Sequence, residues 1–137
     1  MKDRKKILII EDDRDIVRLV KYNLEKLGME VFEAFNGQEG LDLARDKSAD
    51  LIILDLMLPQ IDGYEVLEAL KEDKNILDIP VIILSAKVSA GAIVKGFQMG
   101  ASDYIPKPFS IDELTSKVKE FLGERITKCC ADNAGEV

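Results

Sequence analysis

Leu51-Ile-Ile-Leu54 runs straight into Asp55, and Pro59 follows four places later. An apolar run this short, bounded by polar residues, reads as a strand buried on both faces. Asp55 then stands where that strand leaves the sheet. A carboxylate there either caps the next segment or does chemistry. No other stretch constrains the fold more, because a strand buried on both faces needs helices above and below it.

The rest of the chain supplies them. Lys6-Ile-Leu-Ile-Ile-Glu11 repeats the buried-strand pattern and ends in the acids Glu11, Asp12 and Asp13. A helix follows, with Ile16, Val20, Leu24 and Leu27 along one face and Gly28 as its stop. Met29 to Ala34 is more mixed, as suits an edge strand. Asn36-Gly37 breaks the chain before a weaker helix marked by Leu41 and Ala44. After the Asp50–Asp55 strand, Ile61-Asp62-Gly63 is a turn. Asp62 and Glu65 have the spacing of a capping box, with Val66, Leu67 and Leu70 as the inner face of a third helix. Pro80 to Ser85 is another buried strand. Ser89 to Met99 is a fourth helix, which Gly91 and Gly96 should loosen. Ala101 to Ile105 is a short last strand leading to Pro106-Lys107-Pro108. Ser110 and Glu113 form a second capping box, and Leu114, Val118, Phe121 and Leu122 follow at helical spacing until Gly123. From about Arg125 the periodicity ends, and Cys129 to Val137 reads as a frayed tail.

Strict strand–helix alternation, five times over, predicts an α/β fold: a parallel sheet with helices on both faces. The three most apolar strands, the first, third and fourth, belong at the centre, and the polar second and fifth at the edges. With right-handed crossovers this gives the spatial order 2-1-3-4-5. Ligands in such sheets bind at the carboxyl ends of the strands, where the order reverses.

Composition narrows the function. The chain has 137 residues, 47% hydrophobic and 33% charged, which suits one soluble domain. A formal net charge of -7 argues against direct contact with nucleic acid. No apolar run approaches the roughly 20 residues that span a bilayer, and the basic start is followed only by Ile7–Ile10, too short for a signal peptide. A cytoplasmic protein is expected. Cys129 and Cys130 are adjacent and read as reduced thiols without a role. There is no histidine, which removes Ser-His-Asp and Cys-His catalysis, histidine-ligated zinc and histidine phosphotransfer within the chain.

The predicted sheet gathers polar residues on one edge. Glu11 and Asp12 end the first strand, Asp55 the third and Ser85 the fourth, while Lys107 follows the fifth. Crowded carboxylates need a cation or must raise their pKa values. A few all-oxygen ligands suggest Mg²⁺. Lys107 and the Ser85 hydroxyl could contact phosphoryl oxygens. A cation pocket beside an anion pocket suits phosphoryl transfer onto an aspartate. Taken singly, each residue has a plainer reading: Asp13 as a helix N-cap, Asp55 as a cap, Ser85 as a turn residue, Lys107 as a solvated lysine. The joint placement decides between them.

These residues carry a resemblance. Ile9-Ile10-Glu11-Asp12-Asp13, Asp55-Leu-Met-Leu-Pro59 with Asp62-Gly63, Ser85-Ala86, Gly100-Ala101-Ser102-Asp103-Tyr104 and Lys107-Pro108-Phe109 together resemble the receiver domain of two-component response regulators. The resemblance implies a flavodoxin-like (βα)5 doubly wound sheet, with the receiver over residues 1–125 and a flexible C-terminal tail over 126–137. It implies Asp55 as phosphoacceptor, with Mg²⁺ bound by Asp12, by Glu11 through water, by Asp55 and by the backbone carbonyl of Met57. Lys107 would contact the phosphoryl group beside a cis bond to Pro108. Ser85 would be the switch hydroxyl, and Tyr104 the aromatic that turns inward when Ser85 engages a phosphoryl oxygen. Ala86 is small, which leaves room for the donor.

A sensor histidine kinase or histidine phosphotransfer protein is then the implied partner, and a downstream effector protein or domain the output. Helix four, strand five and helix five would form the switched surface. Many members of the family continue into a winged-helix DNA-binding domain, so the chain is either a stand-alone receiver or part of a longer regulator. Homodimers of such members use charged residues on that surface; Asp103, Glu113 and Lys117 could serve, but Ile93 and Gln98 stand where charge is expected. An exposed Ile93-Val94 pair would instead favour an apolar contact. Three other readings are weaker. A Mg²⁺-dependent phosphatase with an aspartyl intermediate would need an acid where Met57 stands. A flavodoxin-like cofactor binder would need a first loop richer in Ser, Thr and Gly than Glu-Asp-Asp-Arg. A pseudo-receiver would not keep the full set of site residues.

Overall fold

The computed structural model describes residues 4–123. The expected tail, the boundary near 125 and both cysteines lie outside the described residues. The elements alternate as β1 (Lys6–Ile10), α1 (Arg14–Lys26), β2 (Glu30–Ala34), α2 (Gly37–Lys47), β3 (Leu51–Leu54), α3 (Gly63–Glu72), β4 (Val81–Ser85), α4 (Ala90–Gln98), β5 (Asp103–Pro106) and α5 (Ile111–Leu122). All neighbouring strands pair in parallel, in the order β2-β1-β3-β4-β5.

The continuous apolar runs are explained by what covers them. Side chains alternate across a strand. Ile7, Ile9, Leu51, Ile53, Ile82 and Leu84 point to the layer of α1 and α5 and pack with Val17, Val20, Leu114 and Val118. Leu8, Ile10, Ile52, Leu54, Val81 and Ile83 point to the other layer and pack with Leu41, Val66, Leu67 and Leu70. Each fully buried Leu or Ile contributes roughly 1.5–3 kcal/mol relative to exposure. This two-sided core fixes the strand ends in register: Ile10 pairs with Leu54, and Leu54 with Ile83.

Helix termini follow the local chemistry. The Asp62–Glu65 box forms in both directions, with the Asp62 N–H donating to Glu65 Oε1 at 3.1 Å. At α5 the Ser110 hydroxyl accepts from the Glu113 N–H at 3.2 Å, the Ser110 half of the expected box. Gly28 and Gly123 take φ values of 88° and 76° at the two helix exits, where a side chain would be strained.

Several expectations need correction or refinement. The buried face of α1 is Val17, Val20 and Leu24; Ile16 is half-buried and Leu27, past the last helical turn, is exposed. Gly96 also has a packing role in α4. A Cβ there would lie 2.8 Å from Ile83 Cδ1, so the glycine lets the helix approach the sheet. The last strand begins at Asp103 rather than Ala101. On the expected output surface, Val94 is exposed but Ile93 is half-buried against the core, so the two do not form a joint apolar patch. Lys117 there bonds Asp103 of the same chain at 2.9 Å.

Candidate phosphoryl and metal site at the carboxyl edge of the sheet

Parallel register carries the sequence-predicted residues to one place. Asp55 follows β3 and donates its N–H to the Ile10 carbonyl at 3.0 Å; Glu11, next along β1, donates to Ala34 at 2.9 Å. Ser85 closes β4, and its carbonyl accepts from the Lys107 N–H at 2.9 Å. The Lys107–Pro108 peptide bond is cis, as expected. Glu11, Asp55 and Ser85 are the buried polar side chains among the described residues. Asp12 is exposed on the rim.

Glu11, Asp12 and Asp55 each offer a carboxylate oxygen, and these atoms lie within 4.8 Å of one another. The Lys107 ammonium reaches Glu11 Oε1 at 2.9 Å and Asp55 Oδ2 at 3.4 Å. That ammonium is the one partner of the buried Glu11 Oε1, and it is shared with Asp55. One ammonium against three carboxylates leaves two negative charges. The donor set is all oxygen and partly open to solvent. Both facts fit a hard divalent cation.

The pKa shifts record the same conflict. Burial is the largest cause lifting Glu11 from 4.5 to about 7; Lys107 opposes it and the Asp55 charge adds to it. For Lys107, burial pulls down, but Glu11 and Asp55 outweigh it and the net shift is upward. The ion pair favours the charged form of both partners, but it outweighs burial only for Lys107. For Glu11 burial decides, because it is 2% exposed and shares its single cation with Asp55.

The loops pin the candidate site groups. Asp55 Oδ1 accepts from the Met57 N–H at 3.1 Å, and Glu11 Oε2 from the Asp13 N–H at 3.2 Å. The Met57 side chain is exposed. Asp13 caps α1, accepting from the Asp15 and Ile16 N–H groups at 3.0 and 3.3 Å, which is its plainer reading. Ser85 Oγ accepts from the Lys87 N–H at 3.2 Å. Tyr104 is turned inward and buried, and its hydroxyl donates to the Lys87 carbonyl. Sequence reasoning missed Lys87, which joins Ser85 to Tyr104, and Tyr64, whose hydroxyl reaches the Ala92 carbonyl at 3.2 Å. No sequence signal marks Lys87. For Tyr64 the signal was slight: a large aromatic directly after Asp62-Gly63.

Comparisons with known proteins agree with this geometry. The family description "Response regulator receiver domain" matches residues 7–119. The alkaline phosphatase synthesis transcriptional regulatory protein PhoP of Bacillus subtilis is 44% identical over 118 residues, covering 86% of this chain and 48% of that protein. The transcriptional regulatory protein SrrA of Staphylococcus aureus is 46% identical over 116 residues, covering 85% and 47%. The chain thus spans about half the length of these relatives. Among solved structures, the receiver domain of the Francisella response regulator 1452 superposes with a TM-score of 0.82 at 37% identity, covering 91% of this chain and 100% of that one. Fold, edge-of-sheet site and relatives lead to one conclusion: the chain belongs to the response regulator receiver domain family.

Proposed function

We propose that the chain is a phosphorylation-dependent switch whose phosphoacceptor is Asp55. The observation that carries this is the Lys107 ammonium shared between Glu11 at 2.9 Å and Asp55 at 3.4 Å, on the edge where Ser85 ends β4. Glu11, Asp12 and Asp55, with the Met57 carbonyl, would hold Mg²⁺. When bound, the ion neutralises charge on the carboxylates and on phosphoryl oxygens. A sensor histidine kinase or histidine phosphotransfer protein brings the phosphoryl group. An Asp55 oxygen forms the new bond to phosphorus as the bond to the donor imidazole nitrogen breaks, and that nitrogen keeps the electron pair. Lys107 holds a phosphoryl oxygen by charge, and the Ser85 hydroxyl turns to donate to another.

In this reading the domain assists its own phosphorylation and dephosphorylation and turns over no outside substrate. The exposed Met57 side chain brings no acid for such turnover. Ser85 and Tyr104 couple the Asp55 site to the surface of α4, β5 and α5, which contacts an effector protein or domain or a second copy of the chain. We place the protein in the cytoplasm; no helix of the described residues is long and apolar enough to cross a membrane. We place the receiver domain over about residues 1–125.

The test is intact-protein mass spectrometry after incubation with a small phosphodonor and Mg²⁺. One phosphoryl group should be added to the wild type and none to Asp55→Asn. Equal labelling of both rejects the assignment.

The relatives favour a second reading. PhoP, SrrA and the DNA-binding regulator RpaA of Synechocystis (44% identical over 117 residues) are transcriptional regulators about twice this length. The switch would then report to a DNA-binding domain, with no nucleic acid contact by the receiver itself. An immunoblot of the native protein separates the two: a band near 15.3 kDa rejects the longer regulator.

A further inference from the structure

Tyr64 is buried and takes no part in the carboxylate cluster. It stands in the first turn of α3, and its contacts reach across to α4. The hydroxyl donates to Ala92 in the first turn of α4. The ring has the Lys95 ammonium 4.2 Å from its centroid and the Lys87 ammonium 5.3 Å from it. One side chain therefore touches the β4–α4 loop and two successive turns of the helix.

Such an anchor matters because α4 has little else. Gly96 is its only fully buried residue, and the apolar side chains it packs on the core, Ile93 and the capping Met99, are only partly buried, so little apolar surface holds the helix on the sheet. A hydrogen bond and two cation–π contacts, modest elsewhere, weigh more on a segment so loosely packed. Lys87 is the junction. Its N–H bonds Ser85 Oγ, its carbonyl accepts from Tyr104, and its ammonium lies over Tyr64. The loop residue is thus gripped from β4, from β5 and from α3.

We propose that Tyr64 is a positioning residue for the switch. Through Lys87, Ala92 and Lys95 it holds the β4–α4 loop and the start of α4 in the arrangement that keeps Tyr104 inward, and so raises the affinity of the Asp55 site for a phosphoryl group. The inference rests on the phosphoacceptor reading above. The inward arrangement is the one in which Ser85 and Tyr104 act on the same loop. If only a fraction of molecules hold that arrangement, apparent affinity falls by the same fraction.

Two variants and two readouts test this. Tyr64→Phe removes the hydroxyl and keeps the ring. Lys95→Gln removes one ammonium from an exposed position and leaves the fold intact. The first readout is amide hydrogen exchange in the metal-free, unmodified protein, which needs no phosphorylation. Exchange across residues 90–96 should quicken by about 2–10-fold in Tyr64→Phe, the loss of one hydrogen bond, and by less in Lys95→Gln. The second readout is titration with Mg²⁺ and beryllium fluoride, a phosphoryl mimic. Its apparent affinity should fall by about 2–10-fold in Tyr64→Phe while affinity for Mg²⁺ alone stays unchanged. Faster exchange with unchanged mimic affinity would make Tyr64 merely structural and overturn the proposal. So would unchanged exchange in both variants. A wild type that binds no mimic defeats the phosphoacceptor reading and this proposal together, which sets that failure apart from the other two.

Discussion

Replacing Glu11 by glutamine tests the charge conflict at the heart of the site. The carboxyl is 2% exposed, and burial above all raises its pKa from 4.5 to about 7. A carboxyl raised in the folded state favours folding at pH below 4.5, and that advantage is lost as the pH climbs to about 7. At about pH 8, taking ~1.4 kcal/mol per pKa unit, the ionised group costs roughly 3 kcal/mol relative to its place in the unfolded chain. That figure already contains the attraction of Lys107. Glutamine has the same shape, can keep an oxygen on the Asp13 N–H, and leaves Lys107 to Asp55. Its buried NH₂ group faces an ammonium rather than an acceptor, which returns about 1 kcal/mol.

The expected net effect in metal-free buffer is therefore a gain of about 1–3 kcal/mol, or a rise of about 3–10 °C in Tm for a domain of this size. Thermal and urea melts of both proteins in EDTA at about pH 8 measure it. The gain should vanish at about pH 4, where the wild-type carboxyl is protonated, leaving the variant level with the wild type or up to about 1 kcal/mol less stable. Added Mg²⁺ should reverse the ranking, because the wild type binds the ion more tightly and gains more from it. A variant less stable than the wild type in EDTA at about pH 8 would refute the reasoning: the Lys107 pair would then outweigh burial.

Substitutions at three further positions probe the supports of the site and, as a control, a surface pair. A Cβ at Gly63 would lie 2.4 Å from Leu56 Cα and 2.6 Å from the Asp55 carbonyl, both backbone. Gly63→Ala should cost about 2–3 kcal/mol in urea melts and weaken Mg²⁺ binding, since the loop holding Asp55 must shift. Asp62→Ala should cost about 1 kcal/mol through loss of the α3 cap, and Asp62→Asn much less; a helix as stable in Ala as in Asn would contradict the capping account. Lys117→Ala breaks a surface pair whose lysine is 37% exposed, and melts should show a loss below about 1 kcal/mol, with no effect on Mg²⁺ binding.

Much of this was legible in the sequence because the fold depends on local patterns that repeat. Three apolar runs with polar ends gave the central strands, the mixed second and fifth gave the edges, and alternation with helices fixed the order. The site followed, since parallel strands carry their last residues to the same edge. What the sequence concealed depends on contacts across the chain. Ile16 and Val17 are both apolar, and only the angle of α1 on the sheet decides that Val17 goes inward. Gly96 resembles a helix breaker until Ile83 is seen beneath it. Lys87 and Tyr64 are ordinary residues 23 positions apart whose role exists only once α3 and the β4–α4 loop are adjacent.

The placement of buried polar groups separates function from stability. Among the described residues the buried polar side chains are Glu11, Asp55 and Ser85, and each closes or directly follows an apolar central strand. A chain shaped only by packing would carry one more Ile or Leu at those positions, since a buried charge shared with a single ammonium is worth less than an apolar side chain there. The cost falls where the strands can bear it: the residues just inside, Ile10, Leu54 and Leu84, are wholly buried between two helical layers. A rigid sheet thus holds three groups that would otherwise move apart, and what relieves them is charge from outside. In the reading proposed above, a divalent ion and a phosphoryl group would supply the charge that balances this edge, and their binding would make it a switch.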